Sequence, residues 1–255
     1  QKTTTQNIAL VIRRNLCLYQ DMKIYICDDM IEIVEAVKAE CEHYLQAKNM
    51  EAEVAGDVFF PDELEGEDKR PGVLLLDIGM PTSSGIEIKD RMEKYEDGPF
   101  IIFITSHDEM VYEAFGKNVI GFLRKPVDRV LFEKVMDKAV DFYESRFLSV
   151  QLPGGIELMC RDIIGIKSEH VYSTIVLADG ELSIRRSLKE WETLLPEKDF
   201  LRINEKWIIH YAYVDKIKDD KVTLKNGERL AVSRRRKLQL RDGYISYCLR
   251  KGRYR

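Results

Sequence analysis

The sequence has little of what would mark a secreted, membrane-bound or metal-scaffold protein. Its five cysteines, Cys17, Cys27, Cys41, Cys160 and Cys248, are odd in number, widely spaced and form no C-x-x-C pair. That argues against a disulfide framework and a zinc site, and makes a reducing cytoplasm the expected setting. The four histidines, His43, His107, His170 and His210, have no ligand spacing to one another. No run approaches the roughly 20 apolar residues that cross a bilayer, so no membrane partner is expected. In the opening segment the apolar residues 8–12 are followed, not preceded, by Arg13 and Arg14, the reverse of a signal peptide. Residues 1–21 are therefore expected to be a leader or an artificial extension ahead of Met22. Internal repeats and low-complexity tracts are absent. Excess charge is scarce too: the formal net charge of -4 names no class of partner, and only its distribution is informative.

That distribution is lopsided. From Arg234 to Arg255 there are nine Lys/Arg residues against a single acid, Asp242, whereas residues 57–68 carry six acids and no base. A length of 255 residues with 45% hydrophobic content suits two domains. From Lys23 short apolar runs at 24–27, 54–58, 73–76, 100–104 and 120–123 alternate with helical patterns, the signature of βαβ units feeding a parallel sheet buried on both faces. Helices are expected around Ile33, Val37, Cys41, Tyr44 and Leu45, and over 86–95, 109–117 and 128–143. Beyond Phe147 the pattern changes to short strands with hairpin turns at Asp179-Gly180 and Asn226-Gly227, a mostly-β domain interrupted by one helix. Ser187 with Glu190 three residues on forms a capping box for that helix. The expected division is 1–21 extension, 22–146 first domain and 147–255 second domain.

Asp77 directly follows the run 73–76, so it stands at the carboxyl end of a central strand, where open α/β sheets place ligands. Asp28 and Asp29 follow the first strand in the same way. Three carboxylates in one crevice repel unless a cation neutralises them, and an oxygen-only cluster suits Mg²⁺. A carboxylate can attack a phosphoryl group in line while fixed donors stabilise the transferring oxygens. Such donors stand at the next two strand ends, Thr105 and Lys125, and Pro126 opens the possibility of a cis peptide after Lys125. A phosphatase of the haloacid dehalogenase type would want an acid two residues after Asp77, where Gly79 stands. A flavin mononucleotide site is disfavoured because Asp28 and Asp29 replace a phosphate-binding loop. Singly, each of these residues has a structural reading as a cap, a strand former or a solvated cation.

Residues 23 to about 145 resemble the receiver domain of two-component response regulators, through Asp28-Asp29, the segment Asp77-Ile78-Gly79-Met80-Pro81 with Gly85, Thr105, and Lys125-Pro126. The resemblance implies a flavodoxin-like (βα)5 fold and phosphorylation of Asp77 by a sensor histidine kinase. It implies Mg²⁺ held by Asp77, the acidic pair and the Gly79 carbonyl, with Thr105 and Phe122 as switch residues. Residues 149 to 250 resemble the LytTR DNA-binding domain, through Asp162-Ile163-Ile164-Gly165-Ile166, Leu177-Ala178-Asp179-Gly180, Arg186-Ser187-Leu188-Lys189-Glu190, Phe200-Leu201-Arg202-Ile203-Asn204 and Leu230-Ala231-Val232-Ser233-Arg234-Arg235. That family binds double-stranded DNA through loops of a β-rich domain, commonly as a dimer.

The cations Arg234, Arg235, Arg236 and Lys237 independently suit phosphate or guanine contact, and the basic residues from Arg250 onward form a possible second contact. Further DNA-reading candidates by motif position are His170, Tyr172, Glu205 and Lys206, with Arg202 expected to be internal and paired with a carboxylate. Taken together these readings describe a non-enzymatic transcription factor that binds promoter DNA as a homodimer once phosphorylated. The alternative is a phosphorylation-gated module that binds protein or RNA.

Overall fold

The computed structural model describes residues 18–60, 71–81, 83–106 and 110–251, and these fall into two compact units that divide between Glu144 and Ser145. Most of the expected extension, residues 1–17, lies outside the described residues. Residues 18–21 do not: Tyr19 is buried in the first unit, its hydroxyl donates to Glu144, and its carbonyl accepts from Met22 N at 3.0 Å.

The first unit is built on five strands, β1 (Lys23–Cys27), β2 (Glu53–Asp57), β3 (Val73–Leu76), β4 (Phe100–Thr105) and β5 (Val119–Arg124), all parallel in the order β2-β1-β3-β4-β5. Every residue of β3 and β4 is buried, as a parallel sheet covered on both faces requires. Helix α1 (Ile31–Lys48) buries Val34, Val37, Cys41, Tyr44 and Leu45, close to the expected stripe. Helix α2 (Gly85–Met92) starts at Ser84, whose side chain accepts from Ile86 N, and α3 (Arg129–Phe147) starts beside Asp128, which accepts from Leu131 N at 2.9 Å. The hydroxyl of Tyr44 donates to Asp137 on α3 at 2.8 Å, and Arg129 pairs with Glu40 through two bonds of 2.9 Å.

The helix expected over 109–117 is not formed. Glu109 lies outside the described residues, and 110–117 make a single 3-10 residue and turns. The segment closes one turn, with Ala114 N donating to Met110 O at 3.3 Å, but Lys117 N, which a helix would pair internally, donates to Glu93 Oε1 at 2.7 Å, and Lys89 Nζ donates to Phe115 O at 3.3 Å. Gly116 between them adds a low helix propensity.

The second unit is mostly β, as expected. A five-stranded antiparallel sheet runs β10-β9-β8-β12-β11, from β8 (Gly165–Glu169), β9 (Tyr172–Leu177), β10 (Gly180–Ile184), β11 (Phe200–Arg202) and β12 (Trp207–His210). A three-stranded sheet of β13 (Val214–Lys218), β14 (Lys221–Leu224) and β15 (Arg229–Ala231) and a hairpin of β6 (Ser149–Gln151) and β7 (Glu157–Met159) complete it. The turn after β14 has Gly227 at φ +91, with its N–H donating to Leu224 O. Helix α4 (Leu188–Leu194) carries the expected capping box, with Ser187 and Glu190 bonded reciprocally. A second helix, α5 (Lys237–Arg250), was not expected: it follows the basic run directly and buries Leu240, Tyr247 and Cys248.

Trp191 of α4 is fully buried, and its indole N–H donates to Ser173 Oγ at 2.7 Å. Trp191→Ala should destabilise the second unit by about 3–5 kcal/mol through the cavity it leaves. Ser173→Ala should cost about 1–3 kcal/mol by orphaning that N–H. Urea titration followed by circular dichroism measures both, and a larger loss for Ser173→Ala would mean that the packing account is wrong.

Candidate functional site

The register of the parallel sheet brings the expected acidic residues together. Asp28 follows β1 and Asp77 follows its neighbour β3, tied by Asp77 N donating to Cys27 O at 2.9 Å. Both carboxylates are buried, and one oxygen each of Asp28, Asp29 and Asp77 lie within 4.8 Å of one another, with Asp29 exposed. From two strands away Lys125 reaches the pair, its Nζ 2.5 Å from Asp28 Oδ2 and 3.3 Å from Asp77 Oδ1. Thr105, buried at the end of the intervening β4, accepts through its carbonyl from Lys125 N at 3.0 Å, and the Lys125-Pro126 bond is cis.

The two Asp77 oxygens differ. Oδ2 accepts from the exposed Gly79 N at 3.1 Å, while Oδ1 is buried and accepts no hydrogen bond, its ion pair with Lys125 being out of line for one. Burial pushes the Asp28 carboxyl above its ordinary range, opposed by the hydrogen bond from Lys125 and the one from Met30 N. Burial, then the Asp28, Asp57 and Asp77 carboxylates, also push the neighbouring Cys27 thiol up to about 12, which leaves it protonated and unreactive at neutral pH. Three carboxylates against one ammonium leave two negative charges in excess, and the buried Oδ1 has lone pairs to offer. A hard divalent cation matches both the charge and the donors.

Phe122 lies on β5, half-buried, stacked on Phe103 with centroids 5.5 Å apart and edge-on to Phe115 at 5.2 Å. Gly85 of the motif has a direct steric reason: a Cβ there would stand 2.1 Å from Asp77 O.

In the second unit three segments gather at one edge of the five-stranded sheet. The β8–β9 hairpin carries His170 in its turn, at φ +57, and Tyr172 at the start of β9, which is 48% exposed. Beside it, Lys206 O accepts from Ser168 N at 2.8 Å, so the 204–206 loop with exposed Glu205 and Lys206 abuts that hairpin. Asn204 ties this loop to the third segment: its Nδ2 donates to Ala231 O at 2.6 Å, and its Oδ1 accepts from Lys206 N. Ser233 N in turn donates to Ile203 O, which leads into Arg234, Arg235, Arg236 and Lys237. The last of these opens α5, whose first turn contains no acid, so the helix N-terminus adds its partial positive charge to a cluster of cations.

The cations are not equivalent. Arg234, Arg235, Lys206 and Lys237 are exposed. Arg236 instead donates to Gln239 Oε1 at 2.6 Å and pairs with Glu192 at 3.5 Å. Arg202 is half-buried instead of internal, but it makes the expected pairing with a carboxylate, Glu192 at 3.1 Å. Arg250 does not belong to a free tail: it is in α5, donating to Lys198 O at 2.6 Å and Asp199 Oδ1 at 3.1 Å. Arg253 and Arg255 lie outside the described residues. Sequence reading missed the tethering role of Asn204, although Asn followed two residues later by a paired N–H is a local Asx-turn signal.

Comparison with known proteins agrees with both halves. Residues 24–137 match the response regulator receiver domain, and residues 155–244 match the LytTr DNA-binding domain. The transcriptional regulatory protein NatR of Bacillus subtilis is 30% identical over 189 residues, covering 72% of this chain and 73% of that protein. The positive alginate biosynthesis regulatory protein of Pseudomonas aeruginosa is 28% identical over 191 residues, covering 65% and 77%. The sensory transduction protein LytT of Bacillus subtilis is 24% identical over 185 residues, covering 66% and 77%. A receiver sheet with an acidic pocket, followed by a β-rich DNA-binding domain, defines a response regulator of transcription. The chain belongs to the response regulators that carry a LytTR DNA-binding domain. Among its described residues no helix is long and apolar enough to cross a membrane.

Gly85→Ala should lower stability by about 1–3 kcal/mol, because the added methyl must displace the Asp77 backbone or the start of α2. A urea midpoint indistinguishable from that of the unaltered chain would show that this close approach is not real.

Proposed function

We propose that the chain receives a phosphoryl group on Asp77 from a sensor histidine kinase and, so modified, binds promoter DNA as a homodimer in the cytoplasm. The observation that carries this reading is the convergence of Asp28, Asp29, Asp77 and Lys125 at the carboxyl edge of the sheet. An Asp77 oxygen attacks phosphorus, the bond from phosphorus to the kinase imidazole breaks, and the departing ring nitrogen keeps the electron pair. Lys125 and the Thr105 hydroxyl then face the charge gathered on the phosphoryl oxygens. Asp28, Asp29, Asp77 and the Gly79 carbonyl would hold Mg²⁺, which would supply positive charge against the phosphoryl oxygens. On this reading its chemistry is confined to its own phosphorylation and dephosphorylation, that of a signalling protein and not of an enzyme.

Phe122 and Thr105 are the residues that register the phosphoryl group. Phe122 meets Phe115 of the 110–117 segment, where Tyr112 is 85% and Phe115 60% exposed, and on α3 Val130 is 60% and Leu131 52% exposed. Apolar side chains so exposed suit association with a second copy. Two DNA-binding units then reach paired half-sites. At each, Arg234, Arg235 and Lys237 supply phosphate or guanine contacts, while Lys206, Glu205, His170 and Tyr172 stand at the same edge; Arg236, held by Glu192, contributes less directly.

Incubated with acetyl phosphate and magnesium chloride, the unaltered chain should gain one phosphoryl group by mass spectrometry, and chelation with EDTA should suppress the gain. Asp77→Ala should gain none while keeping its circular dichroism spectrum; labelling that persisted would move the nucleophile elsewhere.

Arg235→Ala should cost about 1–3 kcal/mol of discrimination between a preferred and a scrambled duplex if Arg235 reads a base. Equal weakening on both would make it a phosphate contact instead.

A further inference from the structure

Glu192 lies on α4, outside the three segments that gather at the sheet edge, yet its carboxylate serves two of them. One oxygen, Oε2, accepts from Arg202 NH1 at 3.1 Å, and the other, Oε1, pairs with Arg236 NH2 at 3.5 Å. The same Arg202 guanidinium donates from Nε to Asn204 O at 3.0 Å and from NH2 to Glu205 O at 3.4 Å, spreading its donors over the 204–206 loop. Arg236 belongs to the basic run that begins at Arg234. One acid thus fixes the carrier of Glu205 and Lys206 through Arg202 and, through its other oxygen, pairs with one cation of the basic run.

An ion pair this exposed contributes little to stability: the Glu192 side chain is 34% accessible, Arg202 26% and Arg236 36%. An acid placed at a surface that binds a polyanion also opposes binding, by repelling phosphate and by occupying an arginine. Both costs are accounted for if the carboxylate serves geometry. Planar guanidiniums presented to one carboxylate lose orientational freedom, and a loop stapled at two carbonyls presents its side chains in one register.

We infer that Glu192 is a positioning residue for DNA recognition: it sets the register of the 204–206 loop through Arg202 and withholds Arg236 from non-specific phosphate contact. Resting on the assignment of DNA contact to the 204–206 and 234–237 segments, this gives Glu192 control of specificity and not of affinity. The isosteric Glu192→Gln removes the charge and keeps the shape; Glu192→Ala removes both.

The test uses the full chain and two probes of equal length, a duplex selected by the unaltered protein from a random-sequence pool and a scrambled version of it. Glu192→Gln should lower the ratio of affinities for the two by about tenfold, the scale of one lost base-discriminating contact. On the scrambled duplex binding should be undiminished, and the slope of log affinity against log salt should steepen by about 0.9 as Arg236 gains a phosphate. The melting temperature should not change. An unaltered ratio and slope in both variants would overturn the inference, as would equal weakening on both duplexes with a lowered melting temperature, the mark of a merely structural role. If the unaltered chain selects no sequence at all, the assignment of base reading to this edge fails first, an outcome distinct from a preference that survives Glu192→Ala.

Discussion

Carboxylates at the tips of adjacent strands cannot all stay charged out of water without a cation among them, and the first unit is arranged around that constraint. The sheet order β2-β1-β3-β4-β5 makes β1 and β3 neighbours, which brings Asp28 and Asp77 together and puts Lys125 on the far side of β4. A lysine with a long flexible stem spans that gap, and its ammonium touches both acids. Burial of every β3 and β4 residue keeps the strand tips in fixed register. Gly85 allows α2 to begin against the Asp77 backbone, closer than any side chain would permit. The apolar core and the close start of α2 thus hold in place the one cluster of charge on which the pocket depends.

What was legible in the sequence followed from short-range pattern. Asp28, Asp77, Thr105 and Lys125 could be read because each ends an apolar run, and a parallel sheet sends the ends of all such runs to one edge. The capping box at Ser187 and Glu190 was legible for the same reason, since its two halves are three residues apart. The turn in place of a helix at 110–117 was not legible, because the groups that compete for its backbone, Lys89 and Glu93, come from another element. Helix α5 was hidden by composition: it opens with cations and contains Gly243, which reads as a breaker. In the fold that glycine has a packing role, for a Cβ there would stand 2.1 Å from the Tyr211 hydroxyl. Glu192 gave no local signal, since its two arginines lie 10 and 44 positions further along the chain.

The second unit handles positive charge in the opposite way from the first, leaving part of it uncompensated. Arg250 and Arg202 are each matched by an acid, Asp199 and Glu192, and serve the protein's own geometry. The cations around the start of α5 accumulate against a helix N-terminus, an arrangement that raises the energy of the unbound unit. Such repulsion is relieved by an anion, so the same segment that disfavours the free state favours the state bound to phosphates. Counting basic residues along the run overstates the footprint by at least Arg236 and Arg250, which the fold has committed elsewhere.

A phosphoryl group on Asp77 replaces a carboxylate of one negative charge by an acyl phosphate of about two, adding about one negative charge to a pocket that already holds an excess of acid. Charge of that size in a buried site is not absorbed by small adjustments; it draws in whichever donors can move. Lys125 is already committed to both carboxylates, and Thr105 sits on a strand buried along its whole length. The 110–117 segment is the less regular element, a turn closed by Ala114 N to Met110 O and tied at its far end to α2 and its cap through Phe115 O and Lys117 N. Elements held by few exposed bonds open at low free energy, which makes them the parts that change between two discrete states. Phe115 in that segment touches Phe122, and Phe122 stacks on Phe103 of the strand that ends in Thr105. A shift of the hydroxyl toward phosphate therefore has a continuous packed route, through Phe103, Phe122 and Phe115, to the exposed apolar face at Tyr112 and Phe115.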